Sequence, residues 1–261
     1  MCEKGDLPAL RYVIERAKSV NLPVDIHTEH DAGFMYICKR NNLEMLNYMI
    51  EYAKSINSPI DINVNQEEAY RSVCKRQDLN ALKCLIEYSE FINSPIDFNV
   101  RDCEGFMKIC SNEYNLEMLK YMINYSNSVN RPIDIHVMGE MAFRNICTHG
   151  SFDMMQYLIN YADSIDSPIY IHAWREIGFR NTCRINPKSA SYLAELSLFT
   201  GIKYLYDSRT NIGYVFLFGE DPGEETMYDY YGSEFYTTVG KPDYKFLDEN
   251  AHVLISKKSA R

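Results

Sequence analysis

Basic residues are scarce in this chain: 27 Lys and Arg stand against 36 Asp and Glu in 261 residues, a formal net charge of -9. Affinity for nucleic-acid backbones rests on clustered cations, so this balance argues against nucleic acid as the partner. Long apolar runs are lacking too. No stretch approaches the roughly 20 uninterrupted apolar residues of a membrane span, and the opening MCEKGDLPAL lacks the basic, apolar and small-residue order of a signal peptide. The expectation is a soluble protein of the cytoplasm with no membrane partner. Also missing are GxGxxG, a P-loop, HExxH and any CxxC pair, which leaves no motif for an enzyme, a cofactor, a metal or a small-molecule ligand. Tryptophan occurs once. What is present is apolar material: 46% of the residues are hydrophobic, enough to bury a core.

That material recurs with a fixed period. Pro23, Pro59, Pro95, Pro132 and Pro168 are separated by 36, 36, 37 and 36 residues, and Cys2, Cys38, Cys74, Cys110, Cys147 and Cys183 keep the same register. The one extra residue falls between Cys110 and Leu116, in SNEYNLEML against KRNNLEML, where a short turn can absorb it. A period of this size is the signature of a repeat architecture.

Within one period, QEEAYRSVCKR predicts a short helix A, with acids leading, bases closing, and Tyr70, Val73 and Cys74 on one side. A polar turn follows, and DLNALKCLIEYSEFIN then predicts a longer helix B. Asp78 stands as its N-cap, and Leu82, Leu85, Ile86 and Ser89 lie on one face. Helix B ends at Asn93-Ser94-Pro95, since the residue before proline is pushed out of the helical region. An extended PIDFNV segment leads to the next helix A. A lone pair of this kind exposes its apolar stripe, so neighbouring pairs must stack.

The register match between GFMYICKRNNLEMLNYMIEY and GFMKICSNEYNLEMLKYMINY resembles an ankyrin repeat, with LEMLxYMI its most specific part. The length of the unit and the SINSPIDIN connector are similar to the divergent ankyrin arrays of giant DNA viruses of amoebae. The resemblance covers roughly residues 1–200 and departs from the family pattern in three respects, one being that pairs such as Asn41-Asn42 replace the Gly-His turn between helices. TPLH is absent, its histidine position being Met35, Arg71, Met107, Arg144 or Arg180, and the period is longer than the family's usual 33. The resemblance implies an all-α repeat solenoid of helical hairpins that binds another protein. It divides the chain into a half repeat 1–27, repeats 28–63, 64–99, 100–136 and 137–172, and a degenerate last repeat 173–200. The chain thus begins inside a repeat. Residues 201–261 predict a small β-rich segment. In it IKYLYDS and YVFLFG flank a loop of residues 209–213, HVLIS near residue 252 is a third strand, and residues 219–234 form an acidic stretch.

Several residue sets invite chemistry. One registered cysteine per stacked repeat cannot converge on a tetrahedral ion, so the cysteines read as small core residues and not as metal ligands. His27, His136 and His172 alternate with Asn63 and Asn99 at one position, which suggests a turn hydrogen bond, and no adjacent sequence supplies a nucleophile and carboxylate for catalysis. Positions 29, 65, 101, 138 and 174 carry Glu29, Asn65, Arg101, Met138 and Trp174, different in every repeat while the core around them is constant. Solenoids present specificity in this way. Arg71, Arg144 and Arg180 sit early in helix A, where the helix dipole gives a cation no reward, and complete the partner-binding set. The leading reading is a non-enzymatic scaffold or adaptor, acting in host cytoplasm if viral. The alternative is a structural or assembly component of a larger complex, a viral one if the chain is viral.

Overall fold

The computed structural model describes residues 1–199, 202–209 and 212–217. The expected third strand near residue 252 and the acidic stretch 219–234 lie outside them. The described chain is mostly helical. After a 3₁₀ turn at Cys2–Lys4 come α1 (Leu7–Ser19), α2 (Thr28–Arg40), α3 (Leu43–Ser55), α4 (Val64–Arg76), α5 (Leu79–Phe91), α6 (Val100–Ile109), α7 (Leu116–Ser128), α8 (Val137–His149), α9 (Phe152–Ser164), α10 (Ala173–Ile185) and α11 (Pro187–Ser197), then strands β1 (Ile202–Asp207) and β2 (Ile212–Leu217). None of these helices is long and apolar enough to cross a membrane.

The chain divides into two compact units, one of residues 1–109 and 115–134 and one of residues 110–114 and 135–261. In the first, α2 packs on α4, α4 on α6, and α3 on α5. The inward faces of these helices are closed by residues such as Phe34, Tyr70, Phe106, Leu46, Leu82 and Leu119, each at most 1% exposed. Burying one such side chain contributes about 1.5–3 kcal/mol, and together they outweigh the modest intrinsic helicity of 13-residue segments. In the second unit α8 packs on α10, and α11 on α9 and β1. The two strands form an antiparallel hairpin in which Ile202 pairs with Leu217 and Asp207 with Ile212.

Local signals place the boundaries. Asp78 caps α5 by accepting the amides of Asn80 and Ala81 at 2.9 and 3.0 Å, and Asn42 and Ser151 cap α3 and α9 in the same manner. Asn57, Asn93 and Asn130 take positive φ just past the B helices, where asparagine tolerates the left-handed region. The following amides close the ends, Ser58 N–H on Ala53 O and Ser94 N–H on Ser89 O. The extra residue before α7 is absorbed as expected, at the expense of a cap: Asn115 turns inward and donates to Ile109 O at 3.2 Å. Between the helices the connectors alternate, burying Ile60 and Ile62, then Ile96 and Phe98. The hydroxyl of Tyr88 on α5 meets the Ile60 amide at 2.7 Å, and that of Tyr52 on α3 meets the Val24 amide at 2.8 Å. Helices α3 and α5 thereby each clamp the connector that lies 28 residues before the tyrosine.

On the outer side of α5 a paired exchange keeps packing intact. Arg11 lies over the Tyr48 ring and Lys83 over the Tyr121 ring, at 5.3 and 5.5 Å. Where asparagine replaces the cation, at Asn47, cysteine replaces the tyrosine, at Cys84, and the thiol donates to Asn47 Oδ1.

Candidate binding surface

Every helix A is entered through a turn that the sequence does not announce. Three consecutive residues adopt positive φ before the right-handed helix starts: Glu29, His30 and Asp31; Asn65, Gln66 and Glu67; Arg101, Asp102 and Cys103; and Met138, Gly139 and Glu140. Trp174 and Glu176 also take positive φ, at the start of α10. The left-handed region costs a non-glycine residue roughly 1–2 kcal/mol, so these turns require compensation. Two sets of polar contacts supply it.

The first set comes from the third turn residue, which points inward. Asp31 Oδ1 meets His27 Nδ1 at 2.7 Å, while its Oδ2 accepts the Asp61 amide of the next connector at 3.3 Å. Glu140 Oε1 meets His136 Nδ1 at 2.9 Å and accepts the Tyr170 amide at 3.2 Å. The imidazoles reach on to the next connector through Nε2, His27 to Ser58 Oγ at 2.7 Å and His136 to Ser167 Oγ at 2.9 Å. Each histidine thus links two repeats, and the turn hydrogen bond inferred from the sequence is one part of that link. The acids at this position of the turn, Asp31, Glu67, Glu140 and Glu176, are all buried.

Substitution at this register is compensated in one repeat and not in another. With Asn99 in the histidine position and Cys103 in the acid position, Asn99 Oδ1 itself accepts the Asp134 amide at 2.8 Å. Asn63 reaches Ser94 Oγ at 2.7 Å, but Glu67 then has no imidazole. Its Oε1 accepts the Asp97 amide, and Oε2 is buried without a hydrogen-bond partner. Burial, with Asp97 and Asp61 close by, pushes the Glu67 carboxyl up to about 7. In the last link the acid is Glu176, and Tyr204 of β1 brings its hydroxyl to Glu176 and to His172 Nδ1. The Tyr204 ring lies 4.0 Å from that of Phe179 at 5°. The hairpin thereby closes the end of the α10–α11 pair in the second unit.

The second set explains the early-helix arginines. Arg71 donates from Nε to Gln66 O and from Nη2 to Asn65 O, at 2.8 and 2.9 Å, and pairs with Glu104 through Nη1. Arg144 does likewise with Gly139 O and Met138 O, at 3.0 and 2.9 Å. A planar fork satisfies both turn carbonyls at once, which lysine could not do. Arg71 and Arg144 thus support the turn from beneath, and Arg180 is half-buried. Other A-helix cations also meet partners, Lys39 with Glu68 and Arg76 with Lys39 O.

The first turn residue points out. Glu29, Asn65, Arg101, Met138 and Trp174 are all exposed at this one position of the turn. In the first unit Arg101 reaches Gln66 Oε1 at 2.7 Å and Asn65 reaches Glu68 at 3.0 Å, so the tips there form a polar strip. In the second unit the tips are apolar.

The staples have the connectivity of a Ser-His-acid triad, with serine on Nε2 and acid on Nδ1. The backbone beside Ser58 is committed elsewhere: its own N–H bonds Ala53 O, residue 59 is proline, and the Ile60 N–H bonds Tyr88. Among the described residues, no cluster of three or more His, Cys, Asp or Glu could hold a metal ion. Cys38, Cys74, Cys110, Cys147 and Cys183 are buried, and burial raises the pKa of Cys38, Cys74, Cys147 and Cys183 well above the ordinary thiol value. The chain matches no protein-family model, no curated protein and no solved structure.

Proposed function

We propose that the chain is a non-enzymatic binding scaffold, an ankyrin-like array that recognises another protein with the tips of its left-handed turns. The observation that carries this reading is the division of labour inside each turn. Residue three is buried in every turn, and in two of the turns Arg71 and Arg144 add a carbonyl fork, while residue one is exposed and differs at every repeat. A buried residue under a variable exposed one is what a modular recognition surface requires, and positive φ at a non-glycine tip is retained although it costs stability.

The test is affinity capture from the native cell with the full chain as bait. The same capture is run with a variant in which Glu29, Asn65, Arg101, Met138 and Trp174 are all changed to serine. A partner held by the first bait and released by the second, with both baits equally folded by circular dichroism, is the expected result. A partner held equally by both baits, or obligate self-assembly of the pure chain in light scattering, would move the function elsewhere.

A further inference from the structure

Trp174 is an expensive residue for its position. It is the one tryptophan of the chain, it adopts φ 53° where an unbranched polar residue such as Asn65 is better suited, and it leaves 66% of its surface in water. Nothing in folding rewards that exposure. The surrounding residues nevertheless hold the ring in place. The Arg144 guanidinium, itself buried, lies 4.5 Å from the ring centroid on one side while its donors are fixed on Met138 O and Gly139 O. Gly139 provides the remaining space, because a Cβ there would lie 2.8 Å from the indole Nε1. Met138, the residue before it, is a second apolar tip, 51% exposed.

Building on the scaffold reading above, we infer that Trp174 is the anchor of the second unit's binding surface and that it takes an uncharged apolar side chain, proline or aromatic, from an extended segment of a protein partner. Rigidity supports the anchor role, since a side chain already fixed in one orientation loses little entropy on binding, and tryptophan is prominent among residues that dominate interfaces. The ligand class follows from the ring's electrostatics. An indole face attracts cations through its quadrupole, but here Arg144 already occupies one face, and its charge opposes a second cation on the other. An apolar group stacked on the outer face meets no such opposition and also covers Met138.

The sole tryptophan makes the site self-reporting. A random twelve-residue peptide library is selected on the immobilised full chain. Enriched clones are then assayed as synthetic peptides against the wild type, against Trp174→Asn, which installs the residue found at position 65, and against a triple variant with Glu29, Asn65 and Arg101 changed to serine. The expected result is a consensus rich in proline and aromatic residues, a blue shift of the Trp174 emission on binding, and an affinity loss of about 30-fold or more for Trp174→Asn, with the triple variant unaffected. Failure to enrich any clone, a consensus of Lys and Arg, or equal binding by Trp174→Asn overturns the anchor. If binding survives Trp174→Asn but is lost in the triple variant, the anchor is wrong while the scaffold reading stands.

Discussion

Replacing Gly105 with alanine sets two known effects against each other. Alanine in a helix interior is favoured over glycine by about 1 kcal/mol, so an isolated helix α6 would gain. In the fold, however, a Cβ at residue 105 would lie 2.3 Å from the Tyr70 hydroxyl, 2.4 Å from its Cζ and 2.7 Å from its Cε1. Carbon atoms pack at about 3.5–4.0 Å, so α4 and α6 would have to separate or the ring would have to turn. Turning is blocked, because Tyr70 is buried and stacked on Phe98 with centroids 4.8 Å apart. Forcing a methyl group into such a site costs about 1–3 kcal/mol. Gly105 meets the upper end of that range, leaving a net loss of about 2 kcal/mol and a melting point lower by roughly 4–8 °C. Urea and thermal denaturation of Gly105→Ala, Tyr70→Leu and the double variant form a cycle in which the smaller residue at 70 should recover most of the loss. A melting point that rises in Gly105→Ala, as helix propensity alone requires, would refute the contact between α4 and α6 and with it the stacking of neighbouring repeats.

Glu67 should impose a pH dependence. Its carboxyl in the fold titrates at about 7, above the ordinary 4.5, so its contribution to stability is complete below about pH 4.5 and is lost as pH rises through 7. Glu67→Gln should therefore flatten the difference between urea midpoints at pH 5 and pH 8, by about 1–2 kcal/mol after allowance for solvent screening; equal slopes for both proteins would contradict the burial of this carboxyl. Tyr204→Phe keeps the ring on Phe179 but removes the hydroxyl from Glu176 and His172. A loss of about 1–3 kcal/mol is expected, against about 3–5 kcal/mol for Tyr204→Ala, with hydrogen exchange in α10 and α11 as the readout. Leu119, fully buried on α7, should tolerate no charge: Leu119→Asp costs more than about 4 kcal/mol, and unchanged thermal melting by circular dichroism would place the core face elsewhere.

The helices and their register were legible because they depend on local signals repeated at a fixed interval. Apolar residues three and four apart, Asp78 at a cap, and asparagine before Ser-Pro act within a single turn of chain, and the recurrence of Cys38, Cys74 and Cys110 marks equivalent positions with no knowledge of contacts. The exposed tips at Glu29, Asn65, Arg101, Met138 and Trp174 were found in the same manner, by variation against a constant background. What the sequence could not disclose is the left-handed turn beneath them. Nothing in Asn65-Gln66-Glu67 or Met138-Gly139-Glu140 demands three positive φ values in a row; on their own, residues other than glycine avoid that conformation. It persists because a buried carboxylate meets an amide 30 residues away, Asp61 for Asp31 and Tyr170 for Glu140, and because Arg71 and Arg144 collect the turn's carbonyls. The arginine forks close within their own turns, but the carboxylates and amides converge only once neighbouring helical pairs stack, so the roles of the acids and the histidines were decided by tertiary structure.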